Sequence, residues 1–421
     1  MKKMMKYFVR TAVSLLVMAC CVIPSYALDK SFYAESSKLA TGKWVKVCVK
    51  ESGIYQISAD DIRTWGLGTD LSQIHVFGYG GAPLSEAMLA ANYADDLPQM
   101  PVVRTADRIL FYAQGPVTWK RYNALVPQLQ VQHPYSDSGY YFVTNDSRYS
   151  DISINVADNE PVGEVVTTYF ERLYHEQDLV NPGETGRIYL GESFVSTKSQ
   201  TFNFKLDGLV EGSQVNVLTE FGAQTKGANS TISFAYNNTP LNVSDQDFIG
   251  PCEKLNHTHY KTSQSLKFFT LEGTNDLNYT VNYSCSGNVY VARLNYITVN
   301  YERKMALKDG SLSMALADAK NTMSYQVSNC GSTARVWDVT APYAPVQMKA
   351  ELSEGKLMFT PNKTGRREFI VFEETGTYSR PELIGTVPNQ DIHAQPTPDM
   401  IILAPSAYLE QAARVAALHE R

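Results

Sequence analysis

The sequence lacks several features that would place it at once in a familiar class. Its 421 residues contain no block of like charge, no internal repeat and no low-complexity segment. The formal net charge is −6, so the basic excess that attracts nucleic acid or anionic membranes is missing. After residue 27 no apolar run approaches the roughly 20 residues that a membrane-spanning helix needs. The sequence therefore predicts no nucleic-acid partner and no later membrane span.

Cysteine is scarce, with six copies in the chain. The four that follow residue 27 are Cys48, Cys252, Cys285 and Cys330, and their spacing does not resemble a zinc site. In an oxidising compartment they can form two bridges by three alternative pairings. We favour Cys252 with Cys285, which share one β-rich segment, but buried thiols are an equal alternative. We expect no metal and no cofactor.

The first 27 residues have the pattern of a secretory signal peptide. Four basic residues precede an uncharged run of 13 residues from Thr11 to Ile23, and Ser25-Tyr26-Ala27 provides a small-residue cleavage site. Cleavage there makes Leu28 the mature N-terminus and changes the formal charge from −6 to −10, because four basic and no acidic residues are lost. Lipoprotein processing at Cys20 is the alternative.

The remaining chain is rich in Tyr, Val, Thr and Asn with frequent turn residues, which favours a mainly β fold. We predict a β-rich N-terminal module over 28–155, a β-sandwich over 165–303 and a smaller β segment with a linker over 304–394. Within the first module, alternation from Trp44 to Lys50 and the return from Ile54 to Ile57 predict a hairpin. A short helix is expected from Ser58 to Trp65, ended by Gly66.

Residues 395–421 have a different pattern. Met400 to Ala404 form an uninterrupted apolar run, and Ser406 is a favourable start for an amphipathic helix. A strand that is apolar on both faces and is followed by a helix is typical of the opening of a parallel α/β sheet. We therefore expect an incomplete α/β domain here, in a truncated polypeptide whose catalytic residues were encoded downstream.

Local candidates for a site are weak. Gly78-Tyr79-Gly80-Gly81 follows a strand but lacks the Gly-Lys-Ser/Thr of a phosphate loop, so we expect a tight turn. Asp95-Asp96 is an acid–base or calcium candidate, although such loop carboxylates are usually solvated.

The best metal-like cluster combines His257 and His259 with Cys252 and Glu253, but two histidines do not close a site. Three aromatic pairs are either a sugar-stacking platform or core, and core packing is favoured. They are Phe111-Tyr112, Tyr140-Tyr141 and Phe268-Phe269.

Nine strings, in one order along the chain, resemble the N-terminal region of the type IX secretion system sortase, a gingipain-like cysteine peptidase family. They are Thr41–Val47, Gly53–Tyr55, Val76–Gly81, Asp95–Pro98, Phe111–Pro116, Tyr135–Phe142, Gly186–Phe194, Val336–Thr340 and Pro388–His393. Asp399–Pro405 also resembles the first strand of that family's caspase-like α/β peptidase domain.

The resemblance implies an exported protein at the outer membrane or cell surface of a Gram-negative bacterium. There it implies removal of C-terminal sorting domains from secreted cargo and attachment of the cargo to surface lipopolysaccharide, with outer-membrane type IX components as partners. The family's catalytic Cys and His lie beyond residue 421, so no catalytic residue is assigned. The alternative is a non-enzymatic exported surface-binding protein for glycans or adhesion, possibly processed at Cys20 as a lipoprotein.

Overall fold

The computed structural model describes residues 33–84, 94–182, 184, 188–252 and 260–420. Strands make up 48% of the chain and helices 8%, so the mainly β fold class is confirmed. The described residues form two compact units. The larger comprises 42–84 and 97–389, and the smaller comprises 33–41, 94–96 and 390–420.

The larger unit contains all the strands found among the described residues. Up to residue 176 they are β1 Trp44–Val49, β2 Gly53–Ser58, β3 His75–Gly80, β4 Val103–Arg104, β5 Arg108–Ala113, β6 Thr118–Lys120, β7 Leu129–Val131, β8 Gly139–Thr144, β9 Asn155–Ala157, β10 Glu164–Val166 and β11 Thr168–Glu176. Up to residue 304 they are β12 Ser199–Lys205, β13 Gln214–Lys226, β14 Ser230–Tyr236, β15 Thr239–Pro240, β16 Phe248–Ile249, β17 Lys261–Thr270, β18 Asp276–Cys285 and β19 Asn288–Lys304. The last are β20 Ser311–Ala319, β21 Met323–Val327, β22 Ala334–Asp338, β23 Val346–Met348, β24 Ala350–Ser353, β25 Lys356–Phe359, β26 Gly365–Glu373 and β27 Glu382–Val387.

The hairpin predicted around Ser52-Gly53 is wrong. The two strands form where expected, but β1 lies between β27 and β8, whereas β2 pairs with β5. The turn therefore carries the chain from one sheet to another. Both strands are buried on both faces at several positions, and each finds long-range partners that a local pattern does not specify.

The short helix is confirmed as α1 Ala59–Thr64. Ser58 and Asp61 form a capping box in which each side chain accepts the other residue's backbone N–H. Gly66 has φ +72°, the left-handed conformation that glycine adopts most easily after a helix. Ile62 is fully buried, and this fixes the helix against the core formed by Val45 and its neighbours.

The predicted β-sandwich is present. One sheet has the order β11-β19-β13-β17, and the facing sheet has the order β12-β18-β14-β15, with β16 also paired to β14. Alternate residues of both sheets, including Val215, Val217, Tyr279 and Val281, fill one shared core. On the outer face of the first sheet, the β6–β7 segment packs Val126 onto the sheet beside Leu218 and Tyr296.

A second two-sheet sandwich follows. Its sheets are β10-β21-β25-β24 and β20-β26-β22-β23-β9, and their apolar faces share a second core. Strand β27, which belongs to the predicted 304–394 segment, pairs with β1 of the predicted 28–155 module. The predicted segments therefore share a sheet, and their boundaries stay a prediction.

In the smaller unit, the predicted helix is found as α2 Leu409–His419, after a single 3₁₀ turn at Ser406–Tyr408. The predicted strand is absent: residues 400–404 pair with no strand among the described residues, and such pairing defines a strand. Ile401 and Leu403 are 78% and 98% exposed.

The predicted signal peptide and the Cys20 alternative lie outside the described residues. Within the described part, no helix has the length and apolar character needed to cross a bilayer.

Candidate functional site

The larger unit contains a polar cleft of about 600 Å³, which we name the central cleft. It lies where the turn after β1, strand β6, strand β11 of the first sandwich and strands β20 and β26 of the second meet. Its charged lining residues are balanced in sign. They are Lys50, Arg172, Arg303, Lys308 and Arg366 against Glu51, Glu171, Asp207, Asp309 and Glu368.

Glu368 of β26 is the centre of one group of ion pairs in the central cleft. Its two carboxylate oxygens accept hydrogen bonds from the two terminal nitrogens of Arg172 on β11, at 3.4 and 3.2 Å, and Arg366 also donates to it. Burial opposes ionisation of Glu368, but the two guanidinium groups outweigh it and the pKa of Glu368 lies below its usual value. Arg172 also stacks over Trp119 at 4.7 Å.

Glu171 of β11 is the centre of a second group of hydrogen bonds. Its Oε2 accepts from Arg303 Nη1 at 2.6 Å and from the Tyr169 hydroxyl at 2.5 Å, while Oε1 accepts the Arg172 backbone N–H. Burial, and then the adjacent negative charge of Glu171, raise the pKa of Tyr169 well above its usual value. Tyr169 is therefore a neutral hydrogen-bond donor across the physiological range.

The lining residues of the central cleft can bind and orient polar groups, but they include neither Cys nor His. Covalent acyl transfer of the cysteine-peptidase type needs a thiol and a base within hydrogen-bond reach. The bidentate pair between Arg172 and Glu368 joins the first sandwich to the second and restricts their relative motion. What the geometry supports for this cleft is a structural and binding role.

The predicted Cys252–Cys285 disulfide is wrong, since all four described cysteines are thiols. The Cys252 backbone N–H bonds to Thr225 of β13, whereas Cys285 ends β18 in the facing sheet.

The thiols of Cys48 and Cys330 have raised pKa values and low reactivity. Burial, with Glu382 beside the sulfur, raises the pKa of Cys48. Burial raises the pKa of Cys330 to about 11. A thiol with a raised pKa supplies little thiolate at neutral pH and is a poor nucleophile.

The tight turn predicted at Gly78-Tyr79-Gly80-Gly81 is wrong for the first three residues, which end strand β3 with a register shift against β8, and only Gly81 lies beyond the strand. Gly80 has φ +90°, and a Cβ on Gly81 would lie 2.3 Å from the Gly115 carbonyl oxygen. The segment packs against the backbone of the β5–β6 connection, so the space that a phosphate would need is filled by protein.

Asp95 and Asp96 serve as structural acceptors in the smaller unit. Asp95 Oδ2 accepts the Ala34 backbone N–H at 2.6 Å and lies 3.0 Å from His393 Nε2. Asp96 accepts the Lys38 backbone N–H at 2.8 Å. These carboxylates tie residues 34–38 to their surroundings, and the described residues contain no group of three or more His, Cys, Asp or Glu side chains suited to a metal.

His257, His259 and Glu253 lie outside the described residues, so the metal-like cluster stays untested.

The aromatic pairs divide between core and surface. The buried members are Phe111, Tyr112, Tyr141 and Phe269, and Phe268 is exposed. Tyr140 is half-buried and lies under the Lys46 ammonium at 3.8 Å.

The central cleft was missed by the sequence analysis. Its residues come from positions as distant as Lys50 and Glu368, and no local motif joins them. The available signal was charge within strand patterns, at Glu171-Arg172 and at Arg366-Arg367-Glu368. Charged side chains half-buried in strands usually need partners, but the sequence does not say which.

Comparison with solved structures found an informative match. The crystal structure of dimeric latent PorU from Porphyromonas gingivalis matches with a TM-score of 0.80 and 26% identity, over 91% of this chain and 37% of that one. This chain has a PorU-like fold. It spans well under half of the PorU chain. No family model and no curated protein matches.

Two polysaccharide-related structures match poorly. BuGH86 in complex with neoagarooctaose has a TM-score of 0.21 and 8% identity, over 62% of this chain and 32% of that one. The isomalto-dextranase of Arthrobacter globiformis T6 has a TM-score of 0.20 and 10% identity, over 63% and 36%. Scores this low carry no argument.

Proposed function

We propose that this chain is the N-terminal β region of a type IX secretion sortase, followed by the start of its peptidase domain. The observation that carries the proposal is the PorU-like fold over 91% of the chain at 26% identity. Nine sequence strings, spread from Thr41 to His393, support the same assignment. The proposal includes export to the outer membrane or cell surface, which agrees with the signal-peptide pattern.

The proposed reaction of the complete protein is acyl transfer by a cysteine peptidase. A cysteine thiolate attacks the carbonyl carbon before the C-terminal sorting domain of the cargo, and a thioester forms as the peptide C–N bond breaks. The departing amine takes up a proton. Water or an amine of the lipopolysaccharide acceptor then attacks the thioester carbonyl carbon and gives up a proton, so that a C–O or C–N bond forms while the C–S bond breaks and releases the thiolate.

In this proposal the described β modules act as a scaffold. The Arg172–Glu368 pair and the β27–β1 ladder join segments that are distant in sequence, so the modules hold a defined arrangement. Contacts with secreted cargo and with outer-membrane type IX components belong to the same proposal. The balanced charge of the central cleft gives no electrostatic preference between them.

The test is deletion of the gene in its own bacterium. We expect cargo proteins to retain their C-terminal sorting domains and to lose surface attachment, as measured by intact-mass spectrometry of cell-surface and medium fractions. The purified 421-residue chain should not cleave a sorting-domain substrate, with or without a thiol-alkylating reagent, because Cys48 and Cys330 are poor nucleophiles. Normal cargo processing in the deletion strain would instead favour a non-enzymatic surface-binding protein.

A further inference from the structure

The second sandwich has an interrupted strand ladder at one edge. Strand β22 pairs with β26 along its whole length, but it pairs with β23 only at Trp337 and Asp338. The chain then leaves this sheet after Met348 and pairs as β24 with β25 in the facing sheet. On the β23 side, residues 334–336 consequently have no neighbouring strand among the residues that the structure describes.

A cavity of about 530 Å³ occupies the position of the missing neighbour, and we name it the strand slot. It is bounded by residues 332–336 on one side and 347–350 on the other, with Leu352 and Leu357 at its base. Val336 and Met348 are buried where they face the core.

The exposure of Leu352 shows that the slot leaves apolar surface uncovered. Leu352 lies directly across the β24–β25 hairpin from Leu357, and directly paired residues share one face of a sheet. Leu357 is only 2% exposed, whereas Leu352 is 40% exposed. Val156, at the opposite rim of the slot, is 59% exposed. Both side chains lack the cover that a further strand would give.

The charged groups at the rim are already paired with one another. Arg335 Nε donates to Glu374 at 2.5 Å and its Nη1 donates to Gln347 at 3.0 Å. Lys349 lies 3.2 Å from Asp158 and also pairs with Glu160. A charged occupant would have to break these pairs or lie unpaired beside them, so the rim favours an uncharged occupant.

We propose that the strand slot binds an extended, uncharged peptide segment of a partner protein by strand addition. The backbone of the peptide bonds to residues 334–336, which span about 10 Å of strand. Its apolar side chains cover Leu352 and Val156, and its alternate side chains face solvent. This proposal is independent of the sortase assignment.

The probe is an acetylated and amidated eight-residue peptide of alternating Val and Thr, carrying a fluorophore and added to the purified chain. Fluorescence anisotropy measures binding, and hydrogen exchange measures protection of the 334–336 amides. The control peptide has the same residues except for central prolines, which cannot donate to a strand ladder. The variant Leu352→Asp adds a charge at the slot, and Val243→Asp is its matched control at a site 47% exposed elsewhere.

We expect saturable binding of the Val/Thr peptide, slower exchange at 334–336 and about ten-fold or greater weakening by Leu352→Asp but not by Val243→Asp. Equal binding of the proline peptide, equal binding to Leu352→Asp, or no binding at millimolar peptide would overturn the proposal. Concentration-dependent self-association that Leu352→Asp abolishes would also overturn it, by making a second copy of the chain the occupant.

Discussion

Removing the carboxylate of Asp247 should destabilise the first sandwich, because it takes away the charged partner of a buried lysine. Lys267 on edge strand β17 donates to Asp247 Oδ2 at 2.6 Å and to the Asn242 carbonyl at 2.8 Å, and Asp247 is fully buried. Asp247→Ala leaves the ammonium with neutral partners only. Loss of one member of such a pair costs about 3–5 kcal/mol of unfolding free energy.

Two features of the site place the expected cost near the lower limit, about 3 kcal/mol. Asp247 Oδ1 has no hydrogen-bond partner, so the substitution also removes one unsatisfied buried oxygen. The Lys267 ammonium also lies 5.5 Å from the Phe234 ring, which continues to stabilise the cation. The Ser244 backbone N–H, however, loses its bond to the Asp247 carboxylate.

Hydrogen exchange followed by mass spectrometry of peptides from β14 and β17 measures the loss of unfolding free energy near the substitution. A local measurement is needed because a chain of several modules does not unfold in one step. A loss of about 3 kcal/mol accelerates exchange roughly a hundred-fold. Lys205→Ala, which breaks the exposed pair with Asp276, is the matched control and should leave the exchange rates almost unchanged, because solvent screens an exposed ion pair. Asp247→Ala with Lys267→Met should recover most of the loss, because no charge is left buried. An Asp247→Ala effect no larger than that of Lys205→Ala would refute the reasoning.

Three further outcomes are expected. In the folded chain Cys48 and Cys330 should react with iodoacetamide at pH 8 at least ten-fold more slowly than in urea, as followed by peptide mass spectrometry, since their pKa values are raised. Burial raises the pKa of Glu176 from 4.5 to about 7, so its contribution to stability is fully present below pH 4.5 and is lost as the pH rises through 7. Thermal melts should therefore show a melting temperature that falls from pH 5 to pH 8, and Glu176→Gln should make this fall smaller. Limited proteolysis should cut within residues 399–420 before it cuts the sandwiches, and equal resistance of both regions would contradict this.

The strands and the first helix were predictable because their signals are local. Alternation in β14 and β18 reports which side chains face the shared core, and the Ser58 capping box marks a helix start within four residues. The hairpin between β1 and β2 failed because pairing partners are chosen by the whole sheet. Local alternation fits a hairpin and a crossing between sheets equally well.

The central cleft and the strand slot were not predictable for a related reason. Arg172 and Glu368 are 196 positions apart, and their contact exists only once two sandwiches are assembled. The slot depends on where the ladder between β22 and β23 stops. The sequence shows that Leu352 is apolar, but its exposure depends on which strands pair beside it in the folded sheet.

The pairing of β27 with β1 sets an order of events in folding. Strand β1 (Trp44–Val49) pairs with β27 (Glu382–Val387) in the N-terminal sheet. The ladder between these two strands therefore forms only after more than three hundred intervening residues have been synthesised. Closing so long a loop costs conformational entropy and slows folding, whereas each sandwich can form from nearer partners. The sandwiches should therefore fold first. The final strand then completes the N-terminal sheet, which makes early exposure of the β1 edge a vulnerable stage of folding.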